Sequence, residues 1–184
     1  LWLFLLLLGY GLISLLVSLG VLNLFHIQII EQIGINIILA VGLNLIVGFS
    51  GQFSLGHAGF MAIGAYAAAI IGSKFPTEII RIFIINGGSL TNGAAGILGI
   101  PNFTTWQMVY FFAVITTIAT LNFLRSPIGR LTLSVREDEI AAESVGVNTT
   151  KIKIIAFVFG AVTASIAGTL QSGIIGSVVQ KDYT

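Results

Sequence analysis

Residues 42–66, GLNLIVGFSGQFSLGHAGFMAIGAY, lie at the centre of an uncharged stretch that runs from residue 32 to residue 73. A helix needs about 20 apolar residues to cross the hydrocarbon core of a membrane, so this stretch is long enough for two crossings. Glycine weakens a helix, and glycines alternate with polar residues between positions 48 and 56. The pattern predicts two spanning helices joined near residues 48–56, and with them an all-α polytopic transmembrane bundle.

The same segment carries the candidate residues for a transport site. In a membrane, backbone groups freed by an opened helix must be satisfied within the protein or by water. Opened helices of this kind often line the substrate path of a transporter. One interpretation is therefore a segment that lines the path or supports its gate, and the other is an interfacial turn between two helices. The polar candidates are Asn44, Ser50, Gln52, Ser54 and His57.

Composition excludes several classes of function. The chain has 184 residues, of which 56% are hydrophobic and only 8% are charged, against about 25% charged in soluble domains. It has no cysteine and two histidines, so thiolate chemistry is excluded and no metal site is predicted. A single imidazole favours a packing role for His57. Since no glycine-rich phosphate-binding loop ending in Lys-Ser/Thr is present, the chain is not expected to be an enzyme.

Other uncharged stretches predict further spanning helices at residues 1–22, 105–124 and 152–170. Residues 1–22 lack the basic start and the cleavage site of a signal peptide. Glu31 stands alone between uncharged stretches and is expected at an interface between two helices. Small residues repeat at a spacing of four, which allows helices to approach closely. These rows are Gly64, Ala68 and Gly72, and then Gly160, Ala164, Gly168, Ser172 and Gly176.

Most of the charge falls in one loop. Nine of the fifteen charged residues, including five of the eight basic ones, lie between Arg125 and Lys153. Basic residues are retained on the cytoplasmic side of a membrane, so the loop 125–151 is predicted to be cytoplasmic. The span before it then runs inward, and the loop at residues 86–102 lies outside.

The charged loop is predicted to contain a short helix. Pro127 and Gly129 are expected to break the incoming helix, and residues 136–145 have helix-forming composition. Gly146 is a plausible stop, and Asn148 or Thr149 can cap the helix that follows. One interpretation is a solvated connector, and the other is a coupling helix that docks into a partner protein.

Three blocks of this sequence resemble the branched-chain amino acid ABC-transporter permeases, in particular their LivM-like branch. The first block is GLNLIVGFSGQFSLGHAGFMAIGAYAAA at residues 42–69. The second is RSPIGRLTLSVREDEIAAESVGVNTTKIKIIAFVFGAVTASIAGTL at residues 125–170. The third is EIIRIFIINGGSLTNGAAGILGIP at residues 78–101. The blocks occur in the order found in the family and cover well over half of the chain.

The resemblance implies a permease that conducts leucine, isoleucine or valine inward across the plasma (inner) membrane. Its implied partners are a second permease subunit, two cytoplasmic ATPase subunits and an extracytoplasmic binding protein, with no nucleic acid. The ATPase subunits would bind and hydrolyse ATP, so no cofactor is expected in this chain. The implied coupling residues are Arg136, Glu137, Asp138, Glu139, Ala141, Ala142, Glu143 and Gly146. Ile140 stands where the coupling motif usually has glutamate, and Glu139 lies one residue earlier.

The chain also departs from the family pattern. In that pattern another spanning helix lies between the positions of Lys74 and Glu78, and further helices follow residue 184. We therefore expect a single transmembrane permease domain over residues 1–184 with a segment missing near residues 75–78 and the C-terminal part absent. The alternatives are a related permease for urea or short amides, and a channel or secondary transporter that works without an ATPase.

Overall fold

The computed structural model describes residues 2–54, 56–74, 97–98, 100 and 102–178. In chain order the helices are α1 (Trp2–Ser18), α2 (Leu24–Leu43), a π-helical segment (Asn44–Phe49), α3 (His57–Lys74), α4 (Trp106–Arg125), α5 (Pro127–Glu137), α6 (Glu139–Ser144) and α7 (Thr149–Ile175). The short strands β1 (Ile97–Leu98) and β2 (Ser177–Val178) form an antiparallel pair. The segment predicted to be incomplete near residues 75–78, and most of the predicted outer loop 86–102, lie outside the described residues.

Within these residues, three continuous helical stretches are long and apolar enough to cross a membrane: Leu24–Phe49, Trp106–Arg125 and Thr149–Ile175. The prediction of an all-α transmembrane bundle is confirmed. The span predicted at residues 105–124 is right within one residue at each end. The span predicted at residues 152–170 is too short, because α7 begins after the cap Asn148 and continues to Gly176, whose φ of +70° stops it.

The first predicted span, residues 1–22, is too long. Helix α1 ends at Ser18. Gly20 adopts a φ of +69°, a conformation that is easy for glycine and that turns the chain. Helix α2 then starts at Leu24, so the two helices are joined by a short turn.

Helix α7 is the centre of the bundle, with α3 packed along one side and α2 along another, while α4 packs on α2. Helices α3 and α7 touch backbone to backbone at two glycines. A Cβ on Gly64 would lie 2.0 Å from the carbonyl oxygen of Ser165, and one on Gly168 would lie 1.9 Å from that of Met61. The rows of small residues therefore allow close helix packing, as the sequence predicted.

Hydroxyl groups add hydrogen bonds across the same contact. Ser165 Oγ donates to the carbonyl oxygen of Phe60 at 3.1 Å, and Thr169 Oγ1 donates to that of Gly64 at 3.2 Å. Such bonds between membrane helices contribute about 0.6 kcal/mol each on average. They fix the register of α3 on α7 in addition to the glycine contacts.

Glu31 lies at an interface between two helices, as expected. Its side chain is buried where α2 packs on α4, close to the backbone of Trp106 in the first turn of α4. A carboxylate is favourable there because the N-terminus of a helix carries partial positive charge and free N–H groups.

The break between α4 and α5 lies where the sequence predicted it, but the helix predicted at residues 136–145 does not form as one helix. Pro127 occupies the first turn of α5, where its missing N–H costs nothing, and Ser126 caps that turn by accepting from the N–H of Gly129. Gly129 therefore lies inside a helix that runs to Glu137. The prediction of one helix over residues 136–145 is wrong, because Asp138 interrupts it with extended backbone and starts α6.

Candidate functional site at the charged end of the bundle

The charged residues Arg125, Arg130, Arg136, Lys151 and Lys153 lie at one end of the bundle, which we call the charged end. Helices α2 and α4 run toward this end, and α3 and α7 run away from it. The π-helical segment and the turn at residues 50–56 meet α5, α6 and the start of α7 here. The predicted transport segment and the predicted coupling segment are therefore in direct contact.

Arg136 makes the first of these contacts. Its Nη1 donates a hydrogen bond to the carbonyl oxygen of Gly48 at 2.5 Å. The side chain also lies over Gly51, where a Cβ would be 3.0 Å from Arg136 Cγ and where φ is +66°. A larger residue at position 51 would strain the backbone and press against the arginine side chain, so glycine is favoured there.

Gln52 makes the second contact. Its Nε2 donates to Ser50 Oγ at 2.8 Å and to the carbonyl oxygen of Lys153 at 3.1 Å. Ser50 is buried, and its backbone N–H donates to the carbonyl oxygen of Leu45 at 3.0 Å, a π-helical bond. The turn is thus bound to α5 through Arg136 and to α7 through Lys153, on either side of α6.

The five predicted transport residues do not form one cluster. Ser50 and Gln52 lie together in the turn. His57 is buried at the start of α3, with its Cε1 beside Gly42 of α2. Asn44 is exposed on the π-helical segment, and Ser54 Oγ is buried without a hydrogen-bond partner among the described residues. The segment at residues 48–56 is a turn between two helices that also contacts the charged loop.

Helix α6 is held against the bundle by one alanine and exposes its other side. Ala142 is buried against Val135 of α5 and Ile152 of α7, so its side chain faces its own bundle. Ile140 and Val145 are 82% and 78% exposed, and Ala141 and Gly146 are exposed beside them. We call Ile140, Ala141, Val145 and Gly146 the α6 face. Sequence reasoning missed Ile140 and Val145, although two apolar residues in a charged run are a visible signal.

Three of the four acidic residues of the loop accept hydrogen bonds from α6 or from the start of α7. Asp138 Oδ1 accepts from the N–H of Ala141 at 2.9 Å and caps α6, and Glu143 Oε1 accepts from Thr149 Oγ1 at 2.7 Å. Glu139 Oε1 accepts from Lys153 Nζ at 2.5 Å. Glu137 makes only a long contact of 3.8 Å with Arg136 Nε, and both side chains are exposed, a type of ion pair that adds little stability.

The loop ends as the sequence predicted. Gly146 follows α6 with a φ of +85°, which is the left-handed conformation that commonly terminates a helix. Asn148 caps α7, since its Oδ1 accepts from the backbone N–H of Lys151 at 2.9 Å. Caps at both ends of the loop keep the short helix α6 in a defined position.

The hydrogen bond from the Lys153 ammonium lowers the pKa of Glu139 below its ordinary value of 4.5. Stabilisation from a lowered carboxyl pKa is present above the unfolded pKa and is lost as the pH falls through the folded pKa. Glu139→Gln is therefore expected to lower the thermal unfolding temperature at neutral pH and to have a progressively smaller effect as the pH falls below 4.5 toward the folded pKa of Glu139. Thermal unfolding in detergent across this pH range measures this, with Glu137→Gln as the control of equal charge. An effect of Glu139→Gln that does not diminish at acidic pH would contradict the assignment.

The described residues bring together no group of three His, Asp or Glu side chains that could hold a metal ion. The site offers instead a small exposed apolar surface on α6 and two hydrogen-bonded connections from its flanks to the turn after α2. Such an arrangement can transmit a displacement of α6 to the end of a spanning helix.

Comparison with known proteins gives one family. A family model described as "Branched-chain amino acid transport system / permease component" matches residues 25–101 and 78–183. The chain is 30% identical over 141 residues to the "High-affinity branched-chain amino acid transport system permease protein LivM" of Salmonella typhimurium and 29% identical to the protein of the same name in Escherichia coli. Each match covers 58% of this chain and 33% of the relative, so the chain spans about a third of the length of these relatives. No solved structure matches.

Proposed function

The chain belongs to the family of branched-chain amino acid transport system permease components, and on that basis we propose that it is a transmembrane permease subunit of an ATP-driven importer of branched-chain amino acids. Membership makes it an integral membrane protein related to transporters. The substrate is inferred from the names of its relatives, and the energy source is inferred from the resemblance to ABC-transporter permeases.

The observation that carries the proposal is the α6 face. Helix α6 exposes Glu139 and Glu143, as a solvated connector would, and their carboxylates are bonded to Lys153 and Thr149 of α7. In addition, Ile140 and Val145 are 82% and 78% exposed at α6 and the residue after it, which a purely solvated connector does not require. A small apolar centre surrounded by polar groups is the usual composition of a protein docking site. We infer that a cytoplasmic ATPase subunit docks on this face.

The other parts of the proposed importer follow from a cytoplasmic position of the charged end. The five basic residues at the charged end support a cytoplasmic position for the loop 125–151, with the chain in the plasma (inner) membrane. A second permease subunit would complete the pore, two ATPase subunits would bind and hydrolyse ATP, and an extracytoplasmic binding protein would deliver the amino acid. This chain would need no cofactor of its own.

The mechanism we infer is alternating access driven through the charged end. Closure of the ATPase pair moves α6, and the hydrogen bonds Arg136–Gly48 and Gln52–Lys153 transfer that movement to the π-helical end of α2. π-helical turns are rare but are frequent at functional sites. The segment is thus a point at which α2 can change its direction between inward-open and outward-open states.

Arg136→Gln is expected to leave ATPase binding intact and to lower ATP-dependent leucine uptake by about tenfold, because it removes a hydrogen bond from a charged donor, worth about 1.5 kcal/mol or more. Uptake and co-purification should be measured on the same preparation. Arg130→Gln is the control, since Arg130 is exposed at the same end and its side chain has no partner within the described part of the chain. Equal uptake by the two variants would contradict the coupling role.

The proposal is tested by purifying the chain from its native membrane in mild detergent and identifying bound proteins by mass spectrometry. Recovery of an ATPase with a phosphate-binding loop and a second permease is the expected result. Recovery of a well-folded chain alone would contradict the proposal and favour a channel or secondary transporter. Uptake of labelled urea in place of leucine would assign the complex to the related urea or short-amide permeases.

A further inference from the structure

A groove runs along the side of α4 that is turned toward α1 and α2. Its volume is about 780 Å³, which is within the usual range for ligand sites. Helices α2 and α4 meet in it at Gly34, where a Cβ would lie 2.4 Å from Val109 Cγ1. Along α4 the groove continues to Asn122 and Arg125 at the charged end. We call it the α4 groove.

Helix α1 closes the outer end of the α4 groove. Tyr10 of α1 stacks on Trp106 with ring centroids 5.3 Å apart, and the hydroxyl of Tyr110 donates to the carbonyl oxygen of Leu6 at 2.6 Å. The inner half is open, since Leu121, which lines it, is 47% exposed. This half of the groove therefore faces the surroundings of the bundle.

The walls of the groove between Tyr110 and Leu121 are apolar. The two hydroxyls there are already used, because that of Tyr110 donates to Leu6 and Thr117 Oγ1 donates to the carbonyl oxygen of Ala113 at 2.8 Å. The other lining residues of this stretch are aliphatic. A polar solute would lose its hydrogen bonds to water there without replacing them, which is costly, whereas a hydrocarbon chain has none to lose.

The inner end of the groove is basic. Asn122 and Arg125 lie in the last turn of α4, and both are exposed. Within the described part of the chain no carboxylate pairs with Arg125, and the side chain of Asn122 makes no hydrogen bond. A guanidinium donates parallel hydrogen bonds to phosphate oxygens. Basic pockets between membrane helices on the cytoplasmic side bind anionic lipid headgroups in the same way.

The length of the open half matches one leaflet of a bilayer. From Val114 to Arg125 helix α4 rises about 16 Å at 1.5 Å per residue. That rise is about half of a hydrocarbon core, which is about 30 Å thick. Apolar surface is expected on any spanning helix, but a concave apolar surface that ends at an arginine has the shape and charge of a single phospholipid.

We propose that the α4 groove binds one anionic phospholipid of the cytoplasmic leaflet. One acyl chain lies along α4 between Val114 and Leu121, and the headgroup phosphate binds Arg125. Burial of the chain supplies affinity, and the phosphate contact supplies selectivity for an anionic headgroup. The inference rests on the proposed function only for the cytoplasmic position of the charged end, and it requires neither the amino-acid substrate nor the ATPase.

Native mass spectrometry of the assembled complex tests the headgroup contact. The complex is placed in nanodiscs of equal parts phosphatidylglycerol and phosphatidylcholine, and this subunit is ejected with its bound lipid. We expect one lipid, with phosphatidylglycerol favoured, and we expect Arg125→Gln to reduce that preference about fivefold, because one basic residue near a membrane surface adds about that factor. Arg130→Gln is the control of equal charge, since Arg130 is exposed at the same end outside the groove. Equal preferences in the two variants, or no lipid on the native subunit, would overturn the inference.

Val114→Trp tests the acyl-chain part of the groove. The larger side chain fills the open half, so bound lipid of both kinds should be lost. Ile115→Trp is the control, since Ile115 is 43% exposed on the same helix outside the groove, and it should retain the lipid. Lipid retained by Val114→Trp, or a protein subunit released by it with the lipid still bound, would overturn the inference. If this variant does not assemble, the two arginine variants decide the test, and absence of the ATPase from the native complex would contradict the importer independently of the lipid.

Discussion

Replacement of Ile140 and Val145 together by aspartate is expected to abolish co-purification of the ATPase. These side chains are the most exposed large apolar groups of the α6 face and form its centre. Central apolar contacts of an interface contribute about 2 kcal/mol or more each, so losing both would weaken binding by about a thousandfold. The aspartates would be exposed to water in the free chain, so membrane insertion and folding should be unchanged. Pull-down from mild detergent measures the result.

The matched control for this variant is Ser134→Asp with Thr150→Asp. Both residues are exposed at the charged end but lie outside the α6 face, so the control adds the same charge to the same region. It is expected to retain the ATPase. If the ATPase stays bound to the Ile140 and Val145 variant, or leaves both variants equally, the α6 face is not the docking surface.

Gly168→Ala is expected to destabilise the bundle by about 1–3 kcal/mol, because overpacking a tight contact forces the backbones apart. The added Cβ would lie 1.9 Å from the carbonyl oxygen of Met61, which is backbone and cannot rotate away. Because α7 is the centre of the bundle, separation of α3 from it should be visible as a lower thermal unfolding temperature in detergent.

Gly59→Ala is the control for the packing prediction. Gly59 lies in α3 as well, but a Cβ there has nothing within 4 Å. Alanine favours a helix over glycine by about 1 kcal/mol, so this variant should be as stable as the native chain or slightly more so. Equal unfolding temperatures for the two variants would show that α3 and α7 do not touch at Gly168.

Much of the fold could be predicted from the sequence because a membrane imposes simple rules. Uncharged stretches of sufficient length placed the start of α4 within one residue and the start of α7 within three, and the glycine-rich segment at 48–56 was correctly placed between two helices. The start of α2 at residue 24 was not predicted, because Glu31 interrupts the uncharged stretch within that helix. The helix caps could also be predicted, because they depend on single residues. The side chain of Asn148 can accept a backbone N–H, and Gly146 can adopt a positive φ.

The remaining errors have local causes. Residues 136–145 have helical composition throughout, but Asp138 can accept the N–H of Ala141 and so begin a new helix. Whether Asp138 begins a new helix depends on how α5 packs on α7. The amino-acid composition of the segment does not determine that packing. The spans at residues 1–22 and 152–170 were misjudged at their ends, because glycines at positions 20 and 176 decide those ends through backbone conformation.

The candidate site was only partly predictable for the same reason. The sequence identified the loop that forms α6, but not that Ala142 faces inward while Ile140 and Val145 face outward. Only the packing reveals which surfaces remain for partners.

Uptake of labelled leucine into proteoliposomes tests ATP-driven import of branched-chain amino acids most directly. The vesicles contain the complex purified through this chain, the binding protein lies on the outer side, and ATP is supplied on the side of the ATPase subunits. The expected result is leucine accumulation that requires hydrolysable ATP, is competed by isoleucine and valine but not by urea, and persists when ionophores collapse ion gradients. Uptake that follows a proton or sodium gradient without ATP would contradict the account.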